Sequence, residues 1–446
     1  MPLELLTYQV EGARFLASKH RAGLFDEMGV GKTAQVIHAL DLVKAKRTLV
    51  VCPAAVREVW KGEFTKFSLT PRRVLKAKNV QDLSLWLRGR ADVLLLSYEL
   101  ALSWHTHIEK HGDLIDVVVF DEAHYLKNDL SRRTRAMLGA DCVGRTGMAA
   151  WGVRVWFITG TPNPNDAADI WSMMRFCGAT RLDKRIFRDR YYNKRVGAYS
   201  ATHDPRADMA PELRHAIRSF SLRRTKRDVN LQIPPIWLTT TTVDGDTREI
   251  AELLRQYPDL EEAILAAVER GGLSTLHADH IATLRRLVAE AKAPAFAELL
   301  VEELDSGLDK VVVFGQHIRA LGLIKRSLEA RKLRCVHVDG STPDTARKNA
   351  VEEFQRDPDC RVFLGNIRAA GTGLTLVAAN NLIMFESSWS PADNAQAIMR
   401  VHRIGQERHV HARFITLANS IDEQVSKVVA RKTAAIAKTG MAFEAA

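Results

Sequence analysis

Short uninterrupted apolar runs, spaced by helix-forming stretches, fill both ends of this 446-residue chain and desert its middle. Thr48-Leu49-Val50-Val51-Cys52, Val93-Leu94-Leu95-Leu96 and Val117-Val118-Val119-Phe120 have strand length, and Trp156-Phe157-Ile158 looks like another. A strand that is apolar on both faces belongs in a parallel sheet covered on both sides. Between the runs lie helical stretches such as Thr33 to Lys44, so the pattern is βαβ. From about Asp166 to Ala293 strand runs nearly vanish, and stretches such as Thr247 to Gln256 and Leu260 to Arg270 read as helix. After Pro294 the alternation returns, with Val311–Phe314, Cys335–Val338, Val362–Leu364 and Leu382–Phe385 as strand candidates. The expected organisation is an α/β lobe over 1–165, a helical insertion and linker region over 166–300, and a second α/β lobe over 301–446. That agrees with the two or three domains such a length implies.

Composition narrows the function. No run of about 18 apolar residues suggests a membrane span, and the N-terminus lacks a basic-then-apolar leader, so an intracellular address is expected. The five cysteines are scattered with no CxxC pair, which argues against a disulfide framework and a structural zinc site and suggests buried small groups. A net charge of +11 is compatible with a polyanionic partner, since neutralising phosphates releases counterions, and equally with a merely basic soluble protein.

The segment Asp26-Glu27-Met28-Gly29-Val30-Gly31-Lys32-Thr33 follows a short apolar stretch and opens a helix. Gly29 and Gly31 permit the tight loop that points backbone N–H groups at phosphate. Lys32 would reach the β- and γ-phosphates of ATP, and Thr33 would place its hydroxyl on Mg²⁺. Asp26 stands where the usual pattern has its first glycine. Downstream, Asp121-Glu122-Ala123-His124 follows the run ending at Phe120, placing two acids at the C-terminal end of a strand, where α/β ligand sites lie. Asp121 would hold the metal and Glu122 would orient and deprotonate water; the alternative is a surface pair capping the next helix.

These motifs, in this order, resemble those of the Swi/Snf-type ATPases of helicase superfamily two across nearly the whole chain. Tyr8-Gln9 is similar to the Q motif and DEMGVGKT to motif I in that family's own form. Val51-Cys52-Pro53 with Trp60 resembles motif Ia, Leu96-Ser97-Tyr98-Glu99 motif Ib, DEAH motif II, and Ile158-Thr159-Gly160-Thr161-Pro162 with Asn165 motif III. In the back half Val312–Phe314 resembles motif IV, and Gly340-Ser341-Thr342 with Arg347 the next signature. Asn366–Leu376 resembles motif V and Gln396–Gln406 motif VI. The AAGTGLTL wording of motif V looks closest to the branch of annealing helicases and fork-remodelling enzymes.

The resemblance implies two RecA-like parallel-sheet lobes with helical insertions between them, and a DNA-stimulated ATPase that moves along double-stranded or forked DNA. It implies adenine contact by Gln9, phosphate contact near Gly373, DNA contacts by Thr159, Thr161, Ser341, Arg368 and Thr372, and coupling through His124 and Gln396. Arg400 and Arg403, three apart, would share one helical face and meet the γ-phosphate; otherwise they are surface ion pairs with acids such as Glu407. Arg223, Arg224, Lys226 and Arg227 in SLRRTKRDV resemble the family's linker clamp, the bland alternative being a solvated basic loop. No chromodomain-like, bromodomain-like, zinc-finger or nuclease segment is seen, so a nearly bare motor is expected, nucleoid-associated if bacterial or viral, targeted by DNA structure or a protein partner. Two other readings remain: a strand-separating DNA or RNA helicase, and an ATP-gated clamp without motor activity. The stretch Gly139 to Gly152 has no functional reading.

Overall fold

The computed structural model describes residues 3–150, 152–162, 167–196, 201–231, 233–270, 278–367 and 374–439. The chain divides into two compact units, Met1–Arg195 with His203–Leu231, and Val196–Thr202 with Gln232–Thr439.

The first unit is built on β1 (Arg21–Leu24), β2 (Thr48–Cys52), β3 (Val74–Lys76), β4 (Val93–Ser97), β5 (Val117–Asp121), β6 (Arg154–Ile158) and, beyond the short β7–β8 ribbon (Tyr192–Val196, Ala201–Pro205), β9 (Ser221–Leu222). These seven strands form a parallel sheet in the order β3-β4-β2-β5-β6-β1-β9. Every residue of β2 and β4 is buried. Because successive side chains point to opposite faces, the apolar runs split into two layers. Leu49, Val51, Leu94, Leu96, Val118 and Phe120 pack with the helices Tyr98–Glu109 and Trp171–Phe176. Val50, Cys52, Val93, Leu95, Val117 and Val119 pack with Thr7–Ser18, Lys32–Leu42 and Arg57–Phe67. Runs without a polar side are therefore required by helices on both faces.

The second unit repeats the plan with β10 (Ile236–Val243), β11 (Val311–Gly315), β12 (Arg334–Val338), β13 (Cys360–Asn366), β14 (Asn381–Met384) and β15 (Val410–Leu417). Their order is β10-β15-β14-β11-β13-β12, again parallel throughout. Val312, Phe314 and Phe363 face one layer, and Val311, Val313, Val362 and Leu364 the other.

The middle of the chain is not a body of its own. Helices Lys184–Tyr191 and Ala210–Phe220 go with the first unit, while Arg248–Gln256, Leu260–Arg270 and Ala278–Asp305 go with the second. It also contributes an edge strand to each sheet, β9 beside β1 and β10 beside β15. β10 carries four consecutive threonines and is largely exposed or half-buried, with only Val243 buried, in keeping with its place at the sheet edge. The helix Ala278–Asp305 continues through Pro294, the residue after which the sequence suggested that the strand–helix alternation returns.

The Gly139–Gly152 stretch is structural. Gly139, Gly144 and Gly147 take positive φ, and Cys142, Met148 and Ala149 plug into the core beneath them. Arg21 ties the stretch down, its Nη1 donating to the carbonyls of Val143 (3.2 Å) and Phe176 (2.7 Å). All five cysteines are free; Cys52, Cys142 and Cys360 are buried and Cys177 and Cys335 partly so. Among the described residues no helix is long and apolar enough to cross a membrane.

Candidate functional site

The chain leaves β1 at Leu24, makes a loop through Gly31 and enters the helix Lys32–Leu42. Gly29 (φ 86°) and Gly31 (φ 80°) lie in the left-handed region, which a Cβ disfavours. At Gly31 a Cβ would also come 2.4 Å from Gln9 Nε2. Gln9 lies against the loop: its Nε2 donates to the Val30 carbonyl (3.3 Å), which the Tyr8 hydroxyl also reaches (3.0 Å). Lys32 Nζ donates to the carbonyls of Asp26 (2.8 Å) and Glu27 (2.9 Å). Burial lowers its pKa, opposed by the charges of Glu122, Asp26, Asp121 and Glu27. Thr33 is the second residue of the helix.

Strand order places β6 between β1 and β5, so the residues following all three gather at one sheet edge. β5 ends on Asp121, whose Oδ2 accepts from Trp60 Nε1 (2.7 Å) and whose Oδ1 accepts from the Glu122 amide (3.0 Å). The Tyr98 hydroxyl donates to the Asp121 carbonyl (2.8 Å). Burial and then the neighbouring Glu122 charge push the Asp121 carboxyl up to about 6. Glu122 adopts φ 51°, rare for a residue with a side chain, and its Oε2 lies 3.4 Å from His124 Nδ1. That same nitrogen is 3.1 Å from Thr159 Oγ1 and 3.5 Å from Thr161 Oγ1, while the Thr161 amide donates to Thr159 Oγ1 (3.1 Å). Glu122 after β5 and the threonines after β6 thus share one histidine.

Two residues of this site carry contacts that sequence reasoning had not given them. Trp60, fully buried, orients Asp121; only its place near the Val51–Pro53 run drew attention to it. Gly160 was read as one letter of a motif. A Cβ there would sit 2.4 Å from Met28 Cγ and 3.3 Å from both the Met28 amide nitrogen and Lys32 Nζ. Gly160→Ala is expected to weaken ATP binding by about tenfold, the equivalent of about 1.4 kcal/mol of overpacking against the glycine loop. Titration with a fluorescent ATP analogue checks this, and an unchanged affinity would show that the loop yields freely.

The second unit holds the remaining candidates. Gln396 is buried in the helix Pro391–Ile398, which ends before Arg400. Arg400 and Arg403 therefore lie in the turn after the helix, not three apart on one helical face. Tertiary partners hold this backbone and its side chains: the Leu376 amide donates to the Arg400 carbonyl (2.9 Å), His402 Nε2 lies 2.8 Å from the Pro234 carbonyl, and Gln406 Nε2 donates to the Ala379 carbonyl (2.8 Å). Arg403 Nη1 donates to the Leu374 carbonyl (3.1 Å). The Ser341 hydroxyl donates to Asp339 Oδ1 (2.7 Å), within a turn that Thr342 completes. Asn165, Arg368, Thr372 and Gly373 lie outside the described residues.

Paired parallel-sheet units, the first with a glycine loop and an acid pair at one sheet edge, define a helicase-type nucleotide-binding protein. More narrowly, the chain belongs to the SNF2-related family: that domain's model matches residues 8–251, and the helicase conserved C-terminal domain matches 292–405. It is 28% identical over 442 residues to the DNA annealing helicase and endonuclease ZRANB3 of Mus musculus, covering 96% of this chain and 40% of that protein. It is 26% identical over 439 residues to a SWI/SNF-related matrix-associated actin-dependent regulator of chromatin subfamily A-like protein 1 homolog of Caenorhabditis elegans, covering 96% and 61%. The chain thus spans only part of these relatives. A solved SWI2/SNF2 ATPase core of Sulfolobus solfataricus in complex with dsDNA matches at 21% identity and a TM-score of 0.44, over 99% of this chain and 94% of that one.

Proposed function

We propose that the chain is an ATP-driven translocase on double-stranded DNA, in which DNA-stimulated hydrolysis drives remodelling such as strand annealing, fork remodelling or protein displacement. The observation that carries this reading is the sharing of His124 between Glu122 and the Thr159–Thr161 turn. A hydrolytic acid wired to a second polar loop is what an enzyme needs if occupancy elsewhere is to alter turnover. A clamp that holds ATP only as a structural ligand needs no such acid. The family match, the name of the mouse relative and the charge of +11 favour DNA as that second ligand.

In this reading Lys32 and the amides of Gly29 to Thr33 bind the phosphates and Gln9 faces adenine. Glu122 accepts the proton of the attacking water. Arg400 and Arg403 answer the charge of the transferring phosphoryl group. Thr159, Thr161, Ser341, Arg368 and Thr372 contact the DNA backbone, Gly373 lies near phosphate, and His124 and Gln396 couple the two ligands. The Thr33 hydroxyl and the Asp121 carboxylate would hold Mg²⁺. They fit it: the donors are oxygens only, and two carboxylates stand side by side, the Glu122 charge adding to burial in raising the Asp121 carboxyl. When bound, Mg²⁺ neutralises charge on the phosphates.

Phosphate release measured with duplex, forked, single-stranded and RNA ligands tests the proposal. Duplex or forked DNA should stimulate strongly. Equal stimulation by single strands or RNA would favour a strand-separating helicase, and displacement from tailed duplexes would establish it. ATP binding without phosphate release would leave the clamp.

A further inference from the structure

The departure at Asp26 has a partner far along the chain. The Asp26 side chain is fully buried where a phosphate loop ordinarily has glycine, and a lone carboxylate there would be prohibitively desolvated. Arg224, 198 residues later, meets it with Nη2 at 2.7 Å and Nε at 3.2 Å. The two-pronged geometry is the strong form of this contact. The same guanidinium donates to the Tyr8 carbonyl (2.7 Å) and to Gln35 Oε1 (2.9 Å), while Gln35 Nε2 donates to Asp26 Oδ2 (3.2 Å). One side chain therefore gathers the glycine loop, the helix that follows it, and the start of the helix whose Tyr8 and Gln9 hold Val30. Gly12 makes room: a Cβ there would lie 1.8 Å from Gln35 Oε1 and 2.7 Å from Arg224 Nη2.

The neighbouring residues repeat the pattern. The Phe25 amide donates to the Leu222 carbonyl (2.8 Å) and the Glu27 amide to the Arg224 carbonyl (2.9 Å), so backbone pairing with β9 runs on past β1 into the loop. The Lys226 amide donates to Glu27 Oε2 (2.8 Å), with its ammonium 3.5 Å from Oε1. Asp26 and Glu27 are also the residues whose carbonyls receive Lys32 Nζ. The basic run in SLRRTKRDV is thus largely engaged with the glycine loop instead of being a solvated loop.

We propose that Arg224, with Lys226 in support, is a positioning residue for ATP binding: through Asp26 and Glu27 it holds the phosphate loop in the shape that receives the triphosphate. This rests on reading that loop as an ATP site, and it adds a residue beyond the motifs that define the site. Arg224 would touch no nucleotide itself. Its loss should appear in affinity, because Glu122 and the arginines of the second unit are untouched.

The test uses the whole chain. Asp26→Asn, Arg224→Lys, their double variant and Gly12→Ala are compared with wild type by titration with a fluorescent ATP analogue and Mg²⁺, by KM and kcat under DNA stimulation, and by thermal unfolding. Each single change at Asp26 or Arg224 should weaken nucleotide binding on the order of tenfold, and the double should be little worse than either single, since one contact is lost in all three. Gly12→Ala, which displaces Arg224 and Gln35 without altering charge, should move affinity in the same direction. KM should rise while kcat at saturating ATP stays within about threefold. Unchanged affinity in all variants, strictly additive losses, or a fall in kcat with KM unmoved would each overturn the proposal. If Asp26→Asn does not fold, Arg224→Lys and Gly12→Ala decide by the same affinities. A wild type that binds the analogue but releases no phosphate refutes the motor reading alone, whereas one that binds no nucleotide refutes both.

Discussion

Glu122→Gln should lower DNA-stimulated ATP turnover by about 10²–10⁴-fold, the range a positioned general base supplies, and leave ATP affinity within a few-fold of wild type. The amide keeps the size of the side chain but cannot accept a proton. Apart from its contact with His124, the carboxylate supports little else nearby: the Asp121 carboxyl is oriented by Trp60 and by the Glu122 backbone, not by the Glu122 side chain. Lys32→Ala should contrast, losing affinity and turnover together, because Lys32 belongs to the phosphate-binding loop itself. Phosphate release and nucleotide titration on the same preparations separate the two. If Glu122→Gln turns over normally, the base lies elsewhere and the role given to β5 is wrong.

Arg400→Ala and Arg403→Ala should each cost about 10³–10⁵ in kcat, as removal of an arginine finger does, with a much smaller change in ATP affinity. Replacement by lysine should not rescue, since a point charge cannot reproduce a planar fork. Loss of Arg403 has a second expected effect. Arg403 Nη1 donates to the Leu374 carbonyl, so its removal frees a backbone acceptor and should also lower the unfolding temperature. Turnover retained in both variants would return these arginines to the surface ion pairs that sequence alone allowed.

The parts legible in the sequence were those encoded locally. Val117–Phe120 is apolar on both faces, so its burial in a parallel sheet, and the emergence of Asp121 and Glu122 at its end, follow from adjacent residues. Positive φ at Gly29 and Gly31 follows in the same way. What was hidden depends on partners remote in sequence. Nothing in Ser221-Leu222 marks a strand, because two residues pair there only when β1 is beside them. β10 hid behind its threonines. The helix over Pro391–Ile398 stops where tertiary contacts around 376–406 take over the chain, a competition that a three-residue spacing cannot reveal. The family resemblance implied coupling through His124, yet it did not give the indole of Trp60 on Asp121.

The late arrival of β9 bears on any attempt to dissect the molecule. A fragment stopping at Phe220 would retain the glycine loop, both acids and the shared histidine, and so look like a self-sufficient nucleotide lobe. It would nonetheless leave β1 as a bare sheet edge, open to pairing with other chains, and an ionised carboxylate sealed inside without its counterion. The front lobe is a unit in space but not in sequence, and its natural cut lies after Leu231.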